Sequence, residues 1–261
     1  MHFIKAIAMD HNLMEIENRL ESQLTSVKDL SNFDRKITDL CSNHLEQLNS
    51  RYRSAPFKTT NQVYLCENTI GVIKNIRNND SLRMHYNTMH NQCIVLAVSF
   101  FTSAISDIFR YSVQKSSEMG TLPASNEDIK LSIKELQDLS FNLTHHVADI
   151  ILKKKDISFQ DMQSTARVFE SYLNIKILKN EVCNDVILAQ ASRHSIVHNH
   201  SIADEKFMNQ IKNAKPRSIK QNFNPNEPFY YTASEIEFVA FAMLLFVQNL
   251  ISQIHDGLKI K

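Results

Sequence analysis

The sequence predicts an all-α protein, and three observations carry that prediction. Only three glycines, Gly71, Gly120 and Gly257, occur in 261 residues. Turns that need positive φ are therefore scarce, and a hairpin-rich β fold is excluded. Apolar residues recur at three- and four-residue steps over long stretches, the period of a helix with one buried face. Hydrophobic residues make up 43% and charged residues 22%, a composition that supports a core and excludes a wholly disordered chain, a collagen or a coiled-coil rod. The glycine shortage also removes the loops that cradle nucleotide phosphates in P-loop and dinucleotide-binding folds.

From Asp10 to Arg53, Leu13, Ile16, Leu20, Leu24, Val27 and Leu30 form one stripe, continued by Ile37, Leu40 and Leu48. The stretch reads as one long helix or as an antiparallel hairpin broken near Ser31-Asn32. Unbroken, it would reach roughly 65 Å at ~1.5 Å per residue and form an arm. Ala55 to Thr60 breaks the pattern, helix returns from Gln62 to Ile76, and Asn78-Asn79-Asp80 breaks it again. Arg83 to Gln114 is strongly helical and ends before Met119-Gly120-Thr121-Leu122-Pro123. Ser125, Ser158 and Thr232 each stand three residues before an acid (Asp128, Asp161, Glu235), so helices are expected to begin near Asn126, Phe159 and Ala233. A further helix is expected from Val182 to His198, and the last one is expected to stop near Gly257. Lys153-Lys154-Lys155 reads as the cationic end of a helix. His200 to Tyr231 is the one long irregular stretch. Two domains are expected: a helical arm over residues 1–80 and a helical domain over 81–261.

With 29 basic and 28 acidic residues the net charge is +1, so only local clustering could mark a polyanionic partner. Cys41, Cys66, Cys93 and Cys183 form no CxxC pair and fall in helical segments, which predicts reduced, mostly buried thiols. The apolar stretch Phe3 to Met9 is short for a signal-peptide core. The most apolar run, Phe238 to Val247, has ten residues where a membrane span needs ~20. It is read as core or as a contact between subunits, and a cytoplasmic setting is expected.

The segment Arg193 to Phe207 carries the chemistry. Arg193, His194, His198 and His200 fall within eight residues. A guanidinium offers a planar fork of donors to phosphate, and an imidazole transfers protons near neutral pH. Together they can cleave a phosphodiester without a metal, provided the substrate supplies a 2′-hydroxyl. Residues five apart point about 140° apart on a helix, so Arg193 and His198 work together only if the helix ends at His198 or a second subunit completes the site. By spacing alone, the favoured reading of the pair is of cations that bind the last helix carbonyls. His194 and His198 share a face, with His200 nearby, and could ligate zinc; no Glu follows His194, so the metalloprotease form is missing. The preferred reading has no metal and no cofactor.

From Lys206 to Asn226 there are five cations, Lys206, Lys212, Lys215, Arg217 and Lys220, and no acid. Phe223, Phe229, Tyr230 and Tyr231 lie within or just after this stretch. Basic residues beside aromatics suit single-stranded RNA; a solvated loop anchored by aromatics in the core is the equal alternative.

Arg193-x4-His198, extended by Ile196-Val197-His198-Asn199 and Asp204-Glu205-Lys206-Phe207, resembles the motif of stand-alone prokaryotic HEPN proteins of toxin and phage-defence loci. Asn91 to Arg110 resembles their first core helix, and the resemblance covers roughly Tyr86 to the C-terminus. It implies a helical bundle that dimerises, with two motifs meeting in one composite ribonuclease site. It also implies RNA as substrate and a neutralising antitoxin or defence-system protein as a further partner. His198 would be the general acid/base, Arg193 would stabilise the phosphate, and Asn199 and His194 would position groups nearby. Ser201 stands where glycine is usual in that pattern, and Thr102 where an acid is usual, with Asp107 as a possible substitute. These departures leave a second expectation, a catalytically silent module that binds RNA or protein. A helical adaptor working through its N-terminal arm is the third.

Overall fold

The computed structural model describes residues 10–55, 60–78, 83–123 and 128–259. Among them the secondary structure is helical, with one isolated bridge between Ile202 and Pro228. Phe3 to Met9, Ser125 and Asn126 lie outside the described residues.

Helix α1 (His11–Ser31) starts at Asp10, whose carboxylate accepts from the Asn12 amide at 3.0 Å. Its stripe of Leu13, Leu20, Leu24 and Val27 is buried against α4 (Arg83–Glu118) and α10 (Ala233–Lys259). The chain breaks at Asn32, as the sequence suggests, and the Asn32 amide group donates to the Lys28 carbonyl at 3.1 Å and to Glu237 at 2.9 Å. Helix α2 (Phe33–Ser54) then buries none of its residues and packs chiefly on α3 (Thr60–Asn78). The Arg53–Glu67 and Lys74–Glu46 ion pairs cross between these two helices. Helix α1 belongs to the core, because four buried aliphatics tie it there, and the hairpin pairs α2 with α3 rather than α1 with α2.

Helix α4 runs for 36 residues through the centre of the molecule, and α1, α6, α7, α8 and α10 pack around it. From Cys93 to Val113 it buries a residue on nearly every turn, including Phe101, Ile105, Ile108 and Phe109. Phe101 meets Phe246 of α10 edge-on at 5.6 Å, and Phe109 meets Phe159 and Phe169 at 5.5 and 5.6 Å. The helix ends where Gly120 takes φ +64° and Thr121 donates back to the Ser116 carbonyl at 2.8 Å, a left-handed stop that glycine makes without strain.

The helix starts follow the hydroxyl-and-acid rule unevenly. Helix α10 begins at Ala233 as expected, with Thr232 and Glu235 each accepting from the other's backbone amide. Helix α7 (Met162–Leu173) begins three residues later than expected, because Asp161 is itself the cap and accepts from Gln163 and Ser164. Residues 128–132 are not helical; α5 (Ile133–Asp138) starts from the capping box of Ser132 and Glu135. Lys154 of α6 (Val147–Lys154) pairs with Glu135 at 2.6 Å. Helix α10 continues through Gly257 to Lys259, so Gly257 does not end it.

Two stretches, Tyr86–Glu118 and Ala233–Gly257, are by length and composition long and apolar enough to cross a membrane. Half of each most apolar window is buried within the fold, and the two helices pack on each other. Val239, Met243, Phe246 and Val247 of α10 are core, whereas Phe238 and Phe241 are exposed. Cys66, Cys93 and Cys183 are buried free thiols and Cys41 is exposed; burial pushes the Cys93 thiol up to about 11.

Candidate active site

Helix α8 (Glu181–His198) carries the motif through the core. The Asn180 side chain caps it by accepting from the Cys183 amide at 2.9 Å. Ten of its residues from Cys183 to Ser195 are buried, against α4, α7, α10 and α9 (Glu205–Ile211). At the start Glu181 is exposed, and the last turn emerges, with Arg193 and His194 half-buried and Val197 and His198 exposed.

The helix ends at His198, which satisfies one of the two conditions set by the five-residue spacing. The Ser195 carbonyl accepts from the amides of Asn199 at 2.8 Å and Ser201 at 3.1 Å, and the Ser195 hydroxyl donates to the Ile202 carbonyl at 2.7 Å. The chain turns back through two consecutive left-handed residues, His200 (φ 53°) and Ser201 (φ 64°). Glycine would suit this backbone better. Here the Ser201 hydroxyl compensates by accepting from the buried Asn91 side chain at 2.9 Å. Asn91 also accepts from the Tyr231 amide at 3.1 Å. One α4 amide thus fastens both the turn after His198 and the approach to α10. Asn199 closes the helix through its backbone amide, and its side chain donates to the Ile202 carbonyl at a long 3.5 Å.

Around the last turn positive groups gather, and the Asp204 carboxylate opposes them only in part at His194. Lys206 Nζ donates to His194 Nε2 at 2.9 Å. An ammonium has no acceptor, so Nε2 must accept and the neutral ring carries its proton on Nδ1. Burial, followed by the charges of Lys206, His198 and Arg193, lowers the His194 pKa below its usual value. The His194 and His198 rings lie 4.8 Å apart and tilted by 50°. Among the described residues, Arg193, Lys206 and His198 make no ion pair with a carboxylate. Gathered cations that lack counter-charges repel one another, and a bound anion relieves that repulsion. Among the described residues His198 makes no side-chain hydrogen bond, so it is the imidazole available for proton transfer; His194 is occupied by Lys206.

The structure separates the five predicted RNA-binding cations. Lys206 joins the motif, and Lys212 and Lys215 are exposed. Arg217 is 2% exposed, donates to the carbonyls of Lys220 and Gln221, and lies 5.8 Å from the Phe223 ring. The Lys220 ammonium is held by Glu235 at 3.1 Å and the Tyr230 carbonyl at 2.7 Å, over the Tyr231 ring. The His200–Tyr231 stretch is packed rather than irregular. It contains α9, capped by Asp204, and stacks Phe207, Phe223 and Phe229 at 4.9–5.5 Å. Asp107 is paired with Arg19 and lies 3.9 Å from Arg110.

A cleft of about 920 Å³ opens between α7, α8 and α9, and Arg193, His194 and Lys206 line it; His198 does not. Among the described residues no three His, Cys, Asp or Glu side chains gather as a metal site. Sequence reasoning missed Asn91, which holds the turn, and it counted Lys206 as loop charge rather than as the partner of His194. Comparison with family models, with curated proteins and with solved structures returns no match.

Proposed function

We propose that the protein is a metal-independent endoribonuclease of the HEPN type, cytoplasmic and acting as a homodimer, in the role of a toxin or antiviral-defence effector restrained by a neutralising partner. The observation that carries this reading is the cluster of Arg193, His194, His198 and Lys206 at the end of α8, where among the described residues no carboxylate forms an ion pair with Arg193 or Lys206. The scissile phosphate takes the place of the missing counter-charge. One His198 accepts the proton of the substrate 2′-hydroxyl as that oxygen attacks phosphorus. Arg193 stabilises the charge on the phosphorane. The bond to the 5′-oxygen breaks, and that oxygen takes a proton from a second imidazolium, supplied by His198 of the other copy. The products are a 2′,3′-cyclic phosphate and a 5′-hydroxyl. Exposed Val197 on α8 and Phe238 and Phe241 on α10 offer apolar surface for the subunit contact. The test is incubation of total RNA in EDTA with wild type, His198→Ala and Arg193→Ala. Cleavage by wild type alone is expected; a His198→Ala protein that cuts at the wild-type rate removes the proposal.

One observation favours the silent RNA- or protein-binding module. Among the described residues no carboxylate pairs with Arg193, and the Thr102 hydroxyl is buried without a partner while Asp107 is engaged elsewhere. RNA binding without cleavage by wild-type protein in the same assay selects this reading.

A further inference from the structure

The cleft beside Arg193 has features that phosphate chemistry alone does not require. Part of its lining is apolar, from Met162, Ala166, Ile187 and Ala191. The lining also carries side-chain amides, notably Gln163 on α7, Asn209 on α9 and Asn213 just beyond it. These three are exposed, and their amide groups make no hydrogen bond to another described residue. Cations stand at both ends of the cleft along α8: Lys179 just before the helix, Arg193 with Lys206 at its far end. The lining from Cys183 to His194 follows α8 for about 16 Å at ~1.5 Å per residue. Two acids also line it. Asp161 spends its carboxylate on the amides of Gln163 and Ser164, and Glu205 is exposed.

An amide presents a donor and an acceptor side by side, the pattern of a nucleobase edge, and an apolar lining accepts the base face. The volume lies within the ~300–1,000 Å³ of small-molecule sites. We propose that this cleft binds a nucleoside phosphate, with the base against Gln163, Asn209 and Asn213 and the phosphate on Arg193 and Lys206. The inference rests on the nuclease reading for its purpose: each protomer would read one base beside the phosphate it cuts, and base preference would come from the amides. The same chemistry could arrive as one residue of an RNA strand or as a free nucleotide.

The test is calorimetric binding of the four nucleoside 3′-monophosphates and of ribose 5-phosphate to wild type, Gln163→Leu and Asn213→Leu. At least one nucleotide should bind wild type tenfold or more tightly than ribose 5-phosphate. Each variant should lose most of that margin and leave ribose 5-phosphate binding unchanged. Both positions are exposed, and unchanged thermal unfolding checks that each variant folds. Nucleotides that bind no better than ribose 5-phosphate, or variants that bind them as wild type does, overturn the proposal. A 2′-O-methyl oligoribonucleotide displaced by the mononucleotide identifies an RNA strand as the source; independent binding identifies a free nucleotide, and both outcomes support the cleft as the site. Wild-type protein that binds nucleotides this way but cuts no RNA overturns the nuclease reading and leaves the cleft standing. Protein that cuts RNA while showing no nucleotide margin does the reverse.

Discussion

Replacing Asn91 by Ala tests how the motif is held in place. The side chain donates to Ser201 Oγ at 2.9 Å and more weakly to the Phe229 carbonyl at 3.4 Å, and it accepts from the Tyr231 amide at 3.1 Å. It is 4% exposed, so water does not replace these partners. Each hydrogen bond contributes about 1 kcal/mol net, and a buried amide left unpaired costs about 1–3 kcal/mol. The sum is about 3 kcal/mol of destabilisation, or a fall in Tm of about 6–12 °C for a chain of this size. Ser201→Ala removes one of these bonds and should cost about 1 kcal/mol. The double variant should then fall short of additivity by about 1 kcal/mol, because both changes delete one shared bond. Thermal unfolding followed by circular dichroism reads all four proteins. RNA cleavage should fall in Asn91→Ala below the melting range, since the turn after His198 loses its anchor while Arg193 is untouched. An Asn91→Ala protein that melts within 2 °C of wild type, or a strictly additive double variant, refutes the anchoring role.

Three further outcomes follow from the site. Lys206→Met should lower RNA affinity and reduce the slope of log Kobs against log salt by about 0.7, the loss of one phosphate contact to a single strand, whereas Arg217→Met should leave affinity within twofold because Arg217 is buried. His194 has a lowered pKa in the folded protein, so on acidification the unfolded chain takes up that proton first. Stability from this group is complete above pH 6.5, the ordinary histidine value, and declines as pH falls from there toward the folded value; His194→Gln should flatten that part of a Tm–pH profile. Phe241→Asp, on the exposed face of α10, should convert a dimer to monomer in sedimentation and abolish cleavage while leaving Tm of the monomer close to that of wild type.

The fold was legible where periodicity and burial agree. The stripe from Leu13 to Val27 is a core stripe, and Thr232 with Glu235 starts α10 at the expected residue. The hairpin partner was not legible, because Ile37, Leu40 and Leu48 continue the α1 pattern although they are exposed on α2. No local signal distinguishes an apolar stripe that meets the core from one that does not. Nor did spacing separate Ser158 from Asp161 as the cap of α7, since either side chain suits that position. At the site, Arg193 and His198 were visible as a motif. What the sequence hid were contacts made across the chain: Asn91 with Ser201, 110 residues apart, and Lys206 with His194, 12 apart. Arg217 and Lys220 looked like surface charge because composition cannot show that carbonyls, Glu235 and aromatic rings enclose them.

The most direct measurement of the central claim uses an end-labelled oligoribonucleotide in EDTA, with and without a single 2′-deoxy residue at the cut position. The account predicts a 2′,3′-cyclic phosphate and a 5′-hydroxyl from wild type and no cut at the deoxy position. It also predicts no products from His198→Ala. Cleavage at the deoxy position, or 3′-hydroxyl ends, would contradict it.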